Sequence, residues 1–115
     1  METTQFKTFS ESRSFEETLV RLYGQESLKV QKERYLRLFT RFCDRFPNAS
    51  EFDIFSSSGR IEVGGNHTDH QLGRVLAMAV DLDTVAFAAK NEDRIIRFVS
   101  KDYQIDPIDL TSLDV

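Results

Sequence analysis

The sequence predicts an α+β fold, helices first and a mixed or antiparallel sheet after them. Three observations carry this. Apolar residues recur at helical spacing through residues 14 to 46, short apolar runs suited to strands follow Asn48, and eight of the ten phenylalanines lie at or before Phe55. A first half so rich in phenylalanine must have something to pack against.

The elements follow in order. Ser14 with Glu17 fits a capping box, and Gly24 suits the stop of a first helix that carries Leu19, Leu22 and Tyr23. A longer helix is expected over residues 27 to 46, with Leu28, Tyr35, Leu38, Phe39, Phe42 and Phe46 on one face. Pro47 stands just beyond its end. Residues 52 to 55 read as a strand that Ser56, Ser57, Ser58 and Gly59 interrupt. Residues 75 to 80 and 84 to 89 are continuous apolar runs, as expected of strands covered on both faces. Residues 60 to 63 and 95 to 99 are further strand candidates, and Ile105 and Ile108 give the tail a strand-like hint. The chain is expected to be one domain, with a helical segment over residues 1–46 and a β-rich part over 47–115.

Composition excludes several classes. With 40% hydrophobic and 30% charged residues the chain suits a soluble globular domain. A net charge of −4 and a pI near 5.1 argue against nucleic acid or an anionic membrane as partner. Cys43 is the only cysteine, so no internal disulfide can form and a cytoplasmic setting is expected. No apolar run approaches the roughly 20 residues of a membrane helix, and the N-terminus lacks the order of a signal peptide.

Four of the five glycines and both histidines fall between Gly59 and Gly73. The stretch Gly59-Arg60-Ile61-Glu62-Val63-Gly64-Gly65-Asn66-His67-Thr68-Asp69-His70 joins two strand candidates. Gly64 and Gly65 would let a ligand approach the main chain, and Arg60, Asn66, His67, Asp69 and His70 set donors and acceptors beside it. A polyhydroxylated small molecule needs such convergent polar groups.

This segment resembles the galactokinase signature Gly-Arg-x-Asn-(apolar)-Ile-Gly-Glu-His-Thr-Asp-Tyr, of the superfamily that includes homoserine and mevalonate kinases. Gly59, Arg60, Val63, Gly65, His67, Thr68 and Asp69 match it. The similarity continues from Gly73 through Asp83, against Gly-x-Val-Leu-Pro-Met-Ala-Ile-Asp-Leu-Asp. The departures are Glu62 for Asn, Gly64 for Ile, Asn66 for Glu and His70 for Tyr.

The resemblance implies the N-terminal part of that kinase fold and transfer of the ATP γ-phosphate, with Mg2+, to the anomeric hydroxyl of galactose. It implies that Asn66, His67 and Asp69 hold sugar hydroxyls and that Arg60 lies by the anomeric hydroxyl and the catalytic base. The family's base and its serine-rich nucleotide loop are not found in these residues. The chain is therefore expected to work with the remainder of a kinase chain and to be inactive alone. A non-catalytic sugar sensor, or a kinase for another hexose such as N-acetylgalactosamine, are the alternatives, because Asn66 keeps a hydrogen bond but loses its charge-assisted form.

Other residues have blander readings. His67, His70, Asp69 and Glu62 could hold a metal, but the spacing is common and no metal is expected. Arg34, Arg37, Arg41 and Arg45 read as a solvated helix face. Cys43 reads as a small unreactive residue, and Asp81 and Asp83 as turn or strand-end residues without chemistry.

Overall fold

The structure is a computed structural model that describes residues 1–65, 72–101 and 103–111. Three helices come first: α1 (Phe6–Ser10), α2 (Arg13–Tyr23) and α3 (Leu28–Arg45), the last entered through a short 3-10 turn at Gln25–Ser27. They are followed by the long strands β1 (Asp53–Gly64) and β2 (Leu76–Ala88) and two two-residue strands, β3 (Ile95–Ile96) and β4 (Ile108–Asp109). Among the described residues β1 pairs only with β2 and β3 only with β4, both antiparallel. Helices followed by an antiparallel sheet is the predicted α+β arrangement.

Local chemistry explains the helix ends and corrects one of them. The cap of α2 is Ser12, not Ser14: Ser12 is extended, and its hydroxyl accepts from the Phe15 N–H at 3.3 Å. Ser14 is already inside the helix, where its carbonyl accepts from the Thr18 hydroxyl at 2.9 Å. Gly24 ends α2 as expected, at φ +82°, a conformation that favours glycine. Phe15, Leu19 and Tyr23 are buried on α2, and Tyr35, Phe39 and Phe42 on α3.

The sequence pattern missed α1, yet Phe6 in it is fully buried at the centre of the core. Its ring meets Phe9, Phe15, Phe39, Phe52 and Phe87. The chain start is tied down beside it: the Met1 ammonium donates to the Phe52 carbonyl and the Phe52 N–H to the Met1 carbonyl, each at 2.9 Å. Phe87 of β2 meets Phe6, Tyr35, Phe39, Phe42 and Phe52, with ring centroids 5.4 to 6.5 Å apart. One end of the ribbon is thereby built into the helical core.

The strands differ from expectation in four ways. The serine run does not interrupt β1 but lies within it. Residues 75 to 80 and 84 to 89 do not form two strands, because Asp81, Leu82 and Asp83 continue β2 between them. Nor is β2 covered on both faces: Val85 and Phe87 are half-buried, whereas Leu76, Met78 and Leu82 are exposed. The fifth candidate, residues 95 to 99, shortens to β3. Its neighbour Asn91 donates from its side chain to the Ile95 carbonyl at 2.8 Å.

Candidate functional site

The β1–β2 ribbon carries the candidate site at the end remote from the helices. Its register runs from Asp53↔Ala88 to Ser58↔Asp83 and resumes at Arg60↔Ala79, Ile61↔Met78, Glu62↔Ala77 and Gly64↔Leu76. Between the two parts Gly59 alone stands opposite residues 80, 81 and 82, a wide bulge in β2. A side chain at Gly59 would come within 3.1 Å of the Leu82 carbonyl oxygen and 3.2 Å of Val80 Cγ2. Glycine there lets the strands close over the bulge.

Gly65 is the more demanding position. Its φ is +127°, and a Cβ built on it would lie 2.6 Å from Val75 Cγ1 and 2.7 Å from Val75 Cα. Only glycine fits, since backbone atoms cannot give way as a flexible side chain could. Gly64 has no such need, because a Cβ there meets nothing within 4 Å. Of the two adjacent glycines, one closes the ribbon tip by direct contact with Val75.

Arg60 lies on β1 with its side chain exposed. Among the described residues no ion pair joins it to Asp53 or Glu62. The other sequence-predicted site residues, Asn66, His67 and Asp69, lie outside the described residues, as do Thr68 and His70. The chain positions that flank them, Gly65 and Leu72, follow and precede the two strands at the ribbon tip. Arg60 is set back from Gly64 by four residues of strand, or about 13 Å.

A polar cluster that the sequence did not reveal sits on the helix side of the bulge. The Asp83 side chain is 10% exposed. Its Oδ2 accepts from the Tyr23 hydroxyl at 2.6 Å and from the Ser56 hydroxyl at 2.7 Å. Its Oδ1 accepts from Arg34 Nη1 at 2.6 Å, and its main-chain carbonyl from Arg34 Nη2 at 3.1 Å. Since Tyr23 gives its proton to Asp83, the Tyr35 hydroxyl 2.9 Å away donates to Tyr23. This corrects two expectations. Asp83 is not an idle strand end, and Arg34 leaves the solvated arginine face, while Arg37, Arg41 and Arg45 keep to it.

Electrostatics follow from the geometry. Burial alone would raise the Asp83 carboxyl, but hydrogen bonds from Ser56, Tyr23 and Arg34, with the Arg34 charge, hold it below the ordinary carboxylate range. Burial, then the bond to Asp83, pushes the Tyr23 hydroxyl well above its usual value, so it stays a donor. Burial and the Asp44 charge also raise the Cys43 thiol, which fits an unreactive residue.

The galactokinase galactose-binding signature matches residues 40–90, which contain the whole ribbon. By this signature the chain resembles the amino-terminal portion of the galactokinase family. A galactokinase of Streptococcus mutans serotype c is 35% identical over 75 residues, which cover 65% of this chain and 18% of that protein. The chain thus spans about a fifth of the length of the curated galactokinase it matches. No solved structure matches it significantly. Among the described residues no group of three or more His, Cys, Asp or Glu could hold a metal ion, and no helix is long and apolar enough to cross a membrane.

Proposed function

We propose that the chain is the sugar-recognition part of a kinase that moves the ATP γ-phosphate onto the anomeric hydroxyl of galactose, giving galactose 1-phosphate. The observation that carries this is the position of the galactose-binding signature. It spans the whole β1–β2 ribbon, at whose outer end Gly65, one of its glycines, is sterically required. In this reading Asp69 and His67 accept and donate hydrogen bonds to sugar hydroxyls, and Asn66 offers its amide where galactokinases place a glutamate. ATP and Mg2+ are bound by the rest of the kinase chain, and these residues alone do not transfer phosphate.

Arg60 is the residue with a catalytic part. An exposed guanidinium near the anomeric hydroxyl would keep a neighbouring carboxylate ionised and meet charge that develops during transfer. The test is Arg60→Lys in the kinase that contains this chain. Turnover should fall at least tenfold while the sugar KM changes little, because the interaction is made mainly in the transition state and an ammonium lacks the planar fork. Kinetics unchanged by lysine would show that Arg60 only belongs to the strand.

A second reading has one observation in its favour. Asn66 and His70 both depart from the galactokinase signature, which suits a different hexose such as N-acetylgalactosamine, or a sugar sensor without turnover. Turnover of N-acetylgalactosamine in preference to galactose would decide for the first, and sugar binding without turnover for the second.

A further inference from the structure

We propose that Asp83 is a positioning residue: clamped to α2, α3 and β1, it sets the register of the ribbon beyond the bulge and so the placement of Arg60. The proposal rests on the part given to Arg60 above, but its structural half stands apart from it.

Register in a ribbon is normally pinned by an apolar face that must stay buried, since a one-residue slip turns every side chain over. On the helix side this holds, because Ile54, Val85 and Phe87 pack on the helical core. Beyond the bulge it does not: Ile61, Val63, Leu76 and Met78 are all exposed. Burial therefore gives those residues little reason to prefer Arg60↔Ala79 over a neighbouring pairing. Bulges also re-aim the strand that follows them, and here Gly59 alone answers three residues of β2.

Asp83 is the last residue of β2 in regular pairing before that bulge, opposite Ser58. It is held by four hydrogen bonds from three segments. Tyr23 and Ser56 fix Oδ2, and Arg34 grips both the carboxylate and the Asp83 main chain. A residue held by side chain and carbonyl together cannot slide along its partner strand. The ribbon then starts from a fixed point two residues of β1 away from Arg60.

The test has two arms. In the 115-residue chain, NMR contacts between Arg60 and Ala79 and between Ile61 and Met78 report the outer register, and those between Asp53 and Ala88 the inner one. Asp83→Asn should abolish or re-pair the outer contacts and keep the inner ones, with Asp83→Glu restoring the outer contacts in part. Outer contacts unchanged in Asp83→Asn would overturn the proposal. If that variant loses its helical circular dichroism, Tyr23→Phe replaces it. That change keeps the packing and removes one donor, and it should weaken the outer contacts alone; their persistence would equally overturn the proposal. In the kinase containing this chain, Asp83→Asn should lower kcat more than it raises the sugar KM. Combined with Arg60→Lys it should add less than a further twofold loss, because both act through one guanidinium. Fully multiplicative losses would overturn the link to Arg60. A silent Arg60→Lys would sink the functional reading while leaving the NMR result to stand or fall by itself.

Discussion

The two ends of the β1–β2 ribbon are built on different physics. At the inner end Phe52 and Phe87 are stacked with ring centroids 5.4 Å apart, inside a cluster to which α1 and α3 contribute. At the outer end the ribbon carries apolar side chains of similar size, Ile61, Leu76 and Met78, and leaves each between 47% and 64% exposed. Hydrophobicity alone does not distinguish the two. What differs is whether another element lies over the strand, as one does at Phe52 and Phe87. Arg60, Gly64 and Gly65 stand at the end that carries little of the fold's stability.

The largest expected effect lies at the inner end. Phe6→Ala removes a ring that is fully buried and touches five others, and should destabilise the chain by about 3–5 kcal/mol. A shift in the denaturant midpoint with an unchanged slope would check this. A loss near zero would mean that α1 does not belong to the core, and the comparison would fail at its stronger side.

An intermediate effect belongs to the junction. A carboxyl held low in the folded state contributes stability that is present above its unfolded value. That contribution is lost as the pH falls through the folded one. The Asp83 contribution should therefore be complete above about pH 4 and fade below it. Thermal melts of the parent chain and Asp83→Asn should differ most at neutral pH and converge under acid. Asp93 and Asp109 are also held low, chiefly by hydrogen bonds from Arg97 and from Thr111, but the difference between the two proteins isolates Asp83. A constant gap down to strongly acid pH would show that its charge is irrelevant to the clamp.

The smallest effect is expected at the outer end. Ile61→Ser and Met78→Ser should each change stability by no more than about 0.5 kcal/mol, since each residue keeps about half of its surface in water. A loss above about 1.5 kcal/mol from either would mean that something covers this part of the ribbon, and sedimentation of the parent chain would tell whether a second copy does.

Much of this was legible in the sequence. Helical spacing marked α3 closely, Gly24 marked the end of α2, and the glycine-rich segment marked the ribbon tip. The misses share a cause: each depends on partners distant in the chain. Five residues of α1 are too short for a periodic signal, and most of the rings around Phe6 come from other elements. The serine run looked like a break because serine is poor strand material, yet Ser56 is placed to bond Asp83. Arg34 looked solvated because its neighbours at helical spacing are, and only the fold brings Asp83 beneath it. The apolar runs of β2 looked fully covered because composition cannot say which half of a strand a helix will reach. For the candidate site, Arg60 was named from the signature and lies on the ribbon as expected of a strand residue. Asn66, His67 and Asp69 stay with the proposal.

The most direct test of the central claim is galactose binding by Asp69→Ala in the full-length kinase proposed above, measured calorimetrically beside a thermal melt. If the ribbon tip recognises the sugar while the helical end holds the fold, affinity should fall roughly ten- to a hundredfold, the worth of one hydrogen bond to a charged group. The melting temperature should stay within about 1–2 °C of the parent, the range of a change that touches no core contact. Unchanged affinity with a clear drop in melting temperature would contradict the account, because Asp69 would then serve the fold and not the sugar.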